Sequence, residues 1–154
     1  MEFNENKADI LKLLIQQEEI ISALYKGFAD KFTEFAVFWV GLATEEKSHA
    51  SQLRMLSPII MADDIKLDLS KMDASKIVED IAAINDVIKK IIEKDFSHKD
   101  AIQSALSIEK TFIEREFFKS CEGENNQLRV ILRGLAYLTE NHVNRLKEFY
   151  EQHK

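Results

Sequence analysis

Glu46 and His49 form a Glu-x-x-His pair in the stretch ATEEKSHASQL, which otherwise has the pattern of an amphipathic helix. Side chains three residues apart lie on one face of a helix, so both can reach the same point in space. A carboxylate and an imidazole that converge there are ligands that iron and manganese accept. The pair alone is weak evidence, because glutamate is common on exposed surfaces. Whether it marks a metal site depends on what the other helices bring to that point.

Single polar residues interrupt the apolar faces of three other predicted helices. Glu18 in the first helix, Glu109 in the fourth and His142 in the last each follow the three- and four-residue spacing of their apolar neighbours. Buried carboxylates without a counter-charge cost several kcal/mol each, or stay protonated. A pair of divalent cations removes that cost. The interruptions, together with the Glu-x-x-His pair, therefore predict a buried metal centre.

Hydrophobic periodicity predicts five helices in one domain over residues 1–154. The predicted helices cover about residues 4–31, 34–56, 73–94, 97–120 and 126–152. The second is expected to end before Pro58, because the residue before a proline is pushed out of the α region. Ser97 and Asp100 have the spacing of a capping box at the start of the fourth helix.

The joints between these helices indicate how they pair. A short joint near residues 31–34 and the turn EGENN make helices one and two, and helices four and five, antiparallel neighbours. The segment 57–96, which has its own helix, then connects the two hairpins. The sequence therefore predicts an all-α four-helix bundle with a long helical crossover between the second and third helices of the bundle.

Composition argues against several classes of protein. A net charge of −6 argues against a nucleic-acid partner, which would need a basic face. No apolar run reaches the roughly 18 residues that a membrane span requires, and the acidic, polar start MEFNENKADI does not resemble a signal peptide. We therefore expect a cytoplasmic protein with no membrane partner. Cys121 is the only cysteine, so the sequence predicts no internal disulfide and no thiolate cage for a metal.

Two stretches of the first half, EEIISALYKGFADKF and FWVGLATEEKSHASQL, resemble the rubrerythrin-like branch of the ferritin-like superfamily. That branch carries a Glu seven residues before a Tyr, and then a helix with Leu-Ala-x-Glu-Glu-x-x-His-Ala. Here Glu18 stands seven residues before Tyr25, and Glu46 with His49 fills the second motif. The stretch ALSIEKTFIEREFF is similar to the third-helix pattern, with Glu109 at the ligand position.

The last helix departs from the family pattern, which carries a second Glu-x-x-His. The matching residues are TENH, so Thr139 stands three before His142 where the family has Glu. Glu140 is only two residues before His142, about 200° around the helix, and is expected to point away. The family's rubredoxin-like domain is also expected to be absent, because one cysteine cannot build it.

The resemblance implies a ferritin-like four-helix bundle that binds two iron ions, or one, with manganese and zinc as alternatives. The metal ligands that it implies are Glu18, Glu46, His49, Glu109 and His142. Tyr25 is expected either to pack in the core or to hydrogen-bond a ligand carboxylate, and Thr139 is expected to lie beside His142. Three carboxylates leave one positive charge on two divalent ions, so we expect the second ion to bind less tightly.

Two functions from different classes follow from these features. In the first, the iron centre reacts with peroxide or dioxygen, reducing peroxide or oxidising and storing iron, and an external electron donor supports turnover. In the second, a non-catalytic bundle serves as an interaction or structural protein with a degenerate metal site. The sequence assigns no catalytic residue in either case. The resemblance also implies a homodimer with Phe35 as a candidate contact, whereas His98 and His153 are expected to face solvent.

Overall fold

The chain folds into helices in the computed structural model, which describes residues 2–62, 66–67, 74–110, 121–122 and 126–153. The elements are α1 (Glu2–Lys31), a 3-10 turn (Thr33–Phe35), α2 (Ala36–Ile60), β1 (Lys66–Leu67), α3 (Ala74–Lys90), α4 (His98–Lys110), β2 (Cys121–Glu122) and α5 (Asn126–His153). The two-residue strands β1 and β2 pair with each other antiparallel. The described part of the chain is therefore all-α in class, as predicted. None of its helices is long and apolar enough to cross a lipid bilayer.

The helices pack in pairs around two hydrophobic clusters. α1 lies along α2, α4 lies along α5, α2 also contacts α5, and α3 lies against α1. The first cluster contains Leu14, Leu53 and Leu135, and the second contains Trp39 and Leu146. Burial of apolar surface stabilises a fold by roughly 25 cal/mol per Å². The helices are therefore held together at two levels along the bundle rather than by one continuous core.

A polar layer lies between the two clusters. On α1, Glu18 lies between Leu14 of the first cluster and Ile21 of the second. Likewise, Glu46 on α2 and His142 on α5 each lie between residues of the first cluster and residues of the second. Because apolar contacts above and below set the rotation of each helix, the polar side chains between them must point inward.

α2 continues through Pro58 to Ile60, so the prediction that it ends before the proline is wrong. Ile60 is fully buried in the first cluster, which favours a helical last turn. The carbonyl groups at this end have a donor from elsewhere in the chain: Lys7 Nζ donates to Ile60 O at 3.0 Å and to Ala62 O at 3.2 Å. Proline removes one backbone donor, and these long-range hydrogen bonds help to offset the loss.

α3 ends at Lys90, earlier than the predicted bound near residue 94. Lys31, the last residue of α1, explains the difference, because its Nζ donates to the carbonyl oxygens of Ile91 and Glu93. Carbonyl groups that accept a hydrogen bond from a side chain no longer require a helical N–H. The interaction with α1 therefore ends α3 and directs the chain toward α4.

The start of α4 confirms the predicted capping box. Ser97 N donates to Asp100 Oδ2 at 2.8 Å, and Asp100 N donates to Ser97 Oγ at 3.1 Å. The two hydrogen bonds satisfy backbone donors that a helix leaves unpaired at its N-terminus. The predicted continuation of this helix to about residue 120 lies beyond Lys110, outside the described residues.

His98 and Phe35 belong to an aromatic cluster at one end of the bundle. The two rings stack with centroids 3.9 Å apart, and His98 Nε2 accepts a hydrogen bond from Trp39 Nε1 at 3.0 Å. Phe35 also lies edge-on to Phe149 and His153. His98 is therefore half-buried rather than facing solvent as expected, whereas His153 is exposed as expected. Phe35, the candidate dimer contact, makes these ring contacts within one chain.

The environment of His98 makes the stability of the fold depend on pH. Burial, together with the nearby His153, lowers the pKa of His98 from 6.5 to about 4. Between these values the unfolded chain binds a proton that the folded chain does not, so this contribution to stability is complete above pH 6.5 and is lost as the pH falls toward 4. We expect the free energy of unfolding to fall more steeply over this range in the parent than in His98→Gln.

Trp39 is the only tryptophan, so its fluorescence follows unfolding beside His98 directly. Glutamine keeps a hydrogen-bond acceptor for Trp39 Nε1 but does not titrate. Denaturant titrations of the two proteins at a series of pH values cancel the contribution of all other titrating groups. Equal pH slopes in the parent and in His98→Gln would contradict the burial of a neutral imidazole at this position.

Candidate metal centre

Glu18 of α1 and the pair Glu46 and His49 of α2 place their donor atoms within 4.8 Å of one another. His49 Nδ1 lies 3.8 Å from Glu18 Oε1 and 3.7 Å from Glu46 Oε2. Both distances exceed hydrogen-bond length. A metal ion with bonds of about 2.0–2.2 Å holds its ligand atoms on the order of 3–4 Å apart. The three side chains, called here the first ligand group, are therefore spaced as ligands of one ion.

Glu46, Glu109 of α4 and His142 of α5 form a second ligand group, whose donor atoms also lie within 4.8 Å of one another. His142 Nδ1 is 2.9 Å from Glu46 Oε1 and 3.6 Å from Glu109 Oε1. Glu46 belongs to both groups, with Oε2 facing His49 and Oε1 facing His142. A carboxylate placed in this way can bridge two ions.

The structure brings together all five side chains that are predicted from the sequence to be metal ligands. Glu18, Glu46, His49, Glu109 and His142 are each at most 2% exposed. The rings of His49 and His142 are nearly parallel, with centroids 5.5 Å apart, and each presents Nδ1 to the carboxylates. The candidate centre therefore combines side chains from α1, α2, α4 and α5, and none of the described residues of α3.

Several carboxylate oxygens at this level have no hydrogen-bond partner among the described residues. They are both oxygens of Glu18 and Oε2 of Glu46. A buried, unpaired carboxylate is costly, and the hydrophobic clusters lie on both sides of the layer. A cation at the common point of each group would supply the missing interaction. Carboxylate and imidazole donors without a thiolate suit iron or manganese, and also zinc, so the residues present fit a divalent metal ion.

The pKa values of the three side chains in the second ligand group also depend on how closely their charges are packed in a buried site. Burial alone would raise the pKa of Glu46, but the hydrogen bond with His142 and the electrostatic effect of the nearby His142 and His49 rings lower it. Burial and the charge of Glu46 raise the pKa of Glu109. Burial would lower the pKa of His142, but the neighbouring carboxylates of Glu109 and Glu46 outweigh burial and raise it. The carboxylates of Glu46 and Glu109 therefore favour a positive charge at His142, whose Nδ1 lies 2.9 Å from Glu46 Oε1.

Tyr25 lies directly beside the second ligand group. It is fully buried, and its hydroxyl donates to Glu109 Oε1 at 2.7 Å. Burial, together with the charges of Glu109 and Glu46, raises the pKa of Tyr25 well above its ordinary value. The hydroxyl therefore keeps its proton and fixes one oxygen of Glu109. Of the two alternatives that the sequence left open for Tyr25, the hydrogen bond to a ligand carboxylate is present, and the ring also packs 5.5 Å from Trp39.

Glu45 and Arg145 hold the far side of the His142 ring, and sequence reasoning did not identify the pairing of these two residues. Glu45 Oε2 lies 3.3 Å from His142 Nε2. Arg145 Nη1 donates to both oxygens of Glu45, at 2.9 and 2.7 Å. A carboxylate behind a ligating imidazole orients the ring and increases its basicity. The available signal was the three-residue spacing of His142 and Arg145 on one helix face, but Glu45, the partner of both, lies 100 residues before Arg145 in the sequence.

Thr139 and Glu140 occupy the positions that the helical phase predicts. Thr139 is buried on the same side of α5 as His142, and its hydroxyl donates to Leu135 O at 3.0 Å. Glu140 is exposed. The side chain three residues before His142 therefore contributes no charge to the second ligand group, which contains two carboxylates, one of them shared.

Replacing Thr139 with glutamate should strengthen the second ligand group. Thr139→Glu adds a carboxylate at the level of His142, and metal affinity rises with the charge of the ligand set. We expect calorimetric titration with Mn²⁺ to show binding at this group at least about tenfold tighter than in the parent, a gain of about 1.4 kcal/mol.

Two variants serve as controls for this change. Thr139→Gln has the same shape as Thr139→Glu without the charge, and should not tighten binding. Glu140→Gln removes an exposed charge one residue away and should leave metal content unchanged. Loss of metal in Glu140→Gln, with no effect of Thr139→Glu, would show that the direction assigned to Glu140 is wrong.

No protein-family model, curated protein sequence or solved structure matches the chain. No relative therefore supplies a family, a metal or a residue role by comparison. The assignment of ligands depends on the positions, burial and charges of the side chains in this structure.

Proposed function

We propose that the protein is a ferritin-like four-helix bundle that binds divalent metal ions at its centre and uses bound iron to react with peroxide or dioxygen. The observation that carries the proposal is the position of Glu46, which faces both ligand groups while only 1% exposed. A buried carboxylate shared by two sets of oxygen and nitrogen donors is the arrangement of a bridged two-metal centre.

The packing of the helices supports the ferritin-like arrangement. α1 with α2 and α4 with α5 form the two hairpins, α2 and α5 join them, and α3 lies on the crossover against α1. In ferritin-like carboxylate proteins, two helices contribute one Glu each and the other two contribute Glu-x-x-His. Here α1 and α4 contribute Glu18 and Glu109, and α2 contributes Glu46 with His49. α5 contributes His142 alone.

Each residue of the centre has a role in this proposal. Iron held there would supply the exchange of electrons with peroxide or dioxygen. Glu46 would contribute to holding an ion in both ligand groups, and His49 and His142 would each contribute to one. Tyr25 orients Glu109 and holds a proton on its hydroxyl at 2.7 Å from the carboxylate. The clusters on either side exclude water from the layer, which strengthens every charge interaction within it.

The existing contacts of the ligands set the order in which ions bind. Each group has two carboxylates and shares Glu46, but only in the second group does the imidazole, through His142 Nδ1, already lie within hydrogen-bond distance of Glu46, at 2.9 Å. We therefore propose that an ion binds first to Glu18, Glu46 and His49, and that a second ion binds less tightly or not at all. Iron is the proposed metal, with manganese and zinc as alternatives.

A second candidate function is a structural or interaction module without turnover. The hydrogen bond between His142 and Glu46, at 2.9 Å, favours it, because the imidazolium already compensates one of the buried charges. In this candidate the polar layer specifies how the helices pair and holds no metal. Metal binding by the parent separates the two candidates.

The partners that the resemblance implies remain part of the proposal. We propose a homodimer, and an external electron donor for repeated turnover. Apolar side chains exposed on α2 offer a surface for a second copy; Val37 is 90% exposed and Met55 is 77% exposed. Sedimentation of the purified protein measures the assembly directly.

The proposed function is tested by three substitutions that keep the size of the side chain. Glu46→Gln removes a ligand of both groups, so we expect it to weaken binding of both ions by at least about 100-fold. Glu18→Gln and Glu109→Gln should each affect one group only. Metal content after anaerobic loading with Fe²⁺ and desalting gives the stoichiometry, and the ferric absorbance after addition of peroxide gives the reaction.

The exposed Glu140 provides a matched control, since Glu140→Gln removes one charge without touching the centre. It should retain the metal content and the peroxide reaction of the parent. A parent protein that binds no Fe²⁺, or a Glu46→Gln variant that binds it as tightly as the parent, would contradict the proposed centre and favour the structural candidate. Iron that binds but reacts with neither peroxide nor dioxygen would contradict the redox activity alone.

A further inference from the structure

The proposed metal centre is enclosed, so an ion must cross the wall of the bundle to reach it. No ligand side chain is more than 2% exposed, and hydrophobic clusters lie on both sides of the layer. A hydrated divalent ion does not cross packed apolar side chains without large cost. Its path must therefore follow a seam between helices where polar groups replace the lost hydration.

A cavity of about 420 Å³ lies between α1, α3 and α4, and is called here the inner cavity. Its wall includes Gln17 and Ile108, which immediately precede the ligands Glu18 and Glu109 in sequence. The inner cavity therefore runs along the same turns of α1 and α4 that carry one carboxylate of each ligand group. Asp80 contributes to the wall from α3.

Two side chains in the wall of the inner cavity each have an oxygen atom without a hydrogen-bond partner among the described residues. Gln17 is only 3% exposed, and its Oε1 is buried and without such a partner. Asp80 Oδ2 is also buried and has no hydrogen-bond partner among the described residues. Both atoms accept hydrogen bonds, so the complementary occupant is a hydrogen-bond donor, and the carboxylate of Asp80 favours one with positive charge. The water molecules around a divalent cation satisfy this requirement, since they direct their hydrogen atoms outward.

A second cavity, of about 390 Å³, adjoins the first and shares Val87, Gln103 and Ser104 with it. We call it the outer cavity. The charged side chains in its wall are Lys90, Glu93, Asp95 and Asp100, which is three acids against one base. Acidic walls raise the local concentration of cations and their rate of association. The two cavities together place four acids, Asp80, Glu93, Asp95 and Asp100, against one base, Lys90.

A third cavity, of about 590 Å³, lies between α1 and α2 and also approaches Glu18, through its neighbour Glu19. Its charged side chains are Lys12, Glu19 and Arg54, and Arg54 pairs with Glu19. Two bases against one acid repel a cation. The sign of the charge therefore favours the path on the side of α3 and α4.

We propose that hydrated divalent cations reach the metal centre through the outer and inner cavities, where Asp80 attracts the ion and Gln17 is the last hydrogen-bonding side chain before Glu18 and Glu109. This inference depends on the proposed metal-binding function and adds an uptake route to it. Residues of a route change the rates of binding and release by the same factor, and leave the equilibrium affinity unchanged. An unchanged affinity with altered rates therefore distinguishes a residue of the route from a metal ligand.

Stopped-flow mixing with Co²⁺, whose visible absorption reports coordination by protein ligands, measures the uptake rate. Asp80→Asn removes the charge and keeps the shape, so we expect uptake to slow about tenfold or more at low ionic strength. The difference from the parent should shrink as salt is added, because salt screens the attraction. Gln17→Met removes the buried oxygen at similar volume and should slow uptake at every salt concentration. Both variants should reach the stoichiometry and dissociation constant of the parent.

Glu79→Gln is the matched control, because Glu79 is exposed beside Asp80 on α3 and lines neither cavity. It should take up Co²⁺ at the rate of the parent. Uptake at the parent rate by both Asp80→Asn and Gln17→Met would overturn the route while leaving the metal centre intact. A changed dissociation constant with an unchanged association rate would overturn it as well, because it would make these residues ligands. If the parent itself binds no Co²⁺, the proposed metal centre fails and the route fails with it.

Discussion

The burial of three carboxylates and two imidazoles at one level between the helices is the constraint on which the rest of the structure depends. These side chains lie between two hydrophobic clusters, and oxygens of Glu18 and Glu46 have no hydrogen-bond partner among the described residues. Such a layer is costly unless opposite charges compensate it. Part of the compensation comes from His142, whose Nδ1 lies 2.9 Å from Glu46 and whose pKa the carboxylates of Glu109 and Glu46 raise. Divalent cations, as we propose, complete it.

Contacts between distant parts of the chain fix the position of the polar layer along the helices and the rotation of each helix about its axis. Lys7 binds the carbonyl groups at the end of α2, and Lys31 binds those that follow α3. The aromatic cluster around Trp39 joins the start of α2 to the start of α4 through His98. Tyr25 connects this end of the bundle to the centre, since its ring contacts Trp39 and its hydroxyl binds Glu109. Packing at the ends is thereby linked to the geometry of the ligands.

The polar layer could be predicted from sequence because it follows from local periodicity. A residue that continues the three- and four-residue spacing of apolar neighbours must face the core, whether or not it is polar. Periodicity alone directs Glu18, Glu46, His49, Glu109 and His142 inward, and the folded chain brings them together. The same helical phase accounts for a buried Thr139 and an exposed Glu140. Predicting the polar layer required no knowledge of loops or of the crossover.

The features that sequence reasoning missed all depend on partners far apart in the chain. The extension of α2 past Pro58 depends on Lys7, and the environment of His98 depends on Trp39, 59 residues away. The placement of Glu45 behind His142 depends on Arg145, 100 residues away. Local propensity has no access to such pairs, because the side chain that satisfies a helix end or a ring nitrogen is chosen by the packing of whole helices.

Anomalous X-ray diffraction from crystals grown with Mn²⁺ tests the central claim most directly. Data collected on both sides of the metal absorption edge locate the ion without reference to activity. We expect a strong anomalous peak within bonding distance of Glu18, Glu46 and His49. An equal or weaker peak should lie between Glu46, Glu109 and His142. Ordered crystals with no anomalous density in the polar layer, and with His142 hydrogen-bonded to Glu46 as the only compensation, would contradict it.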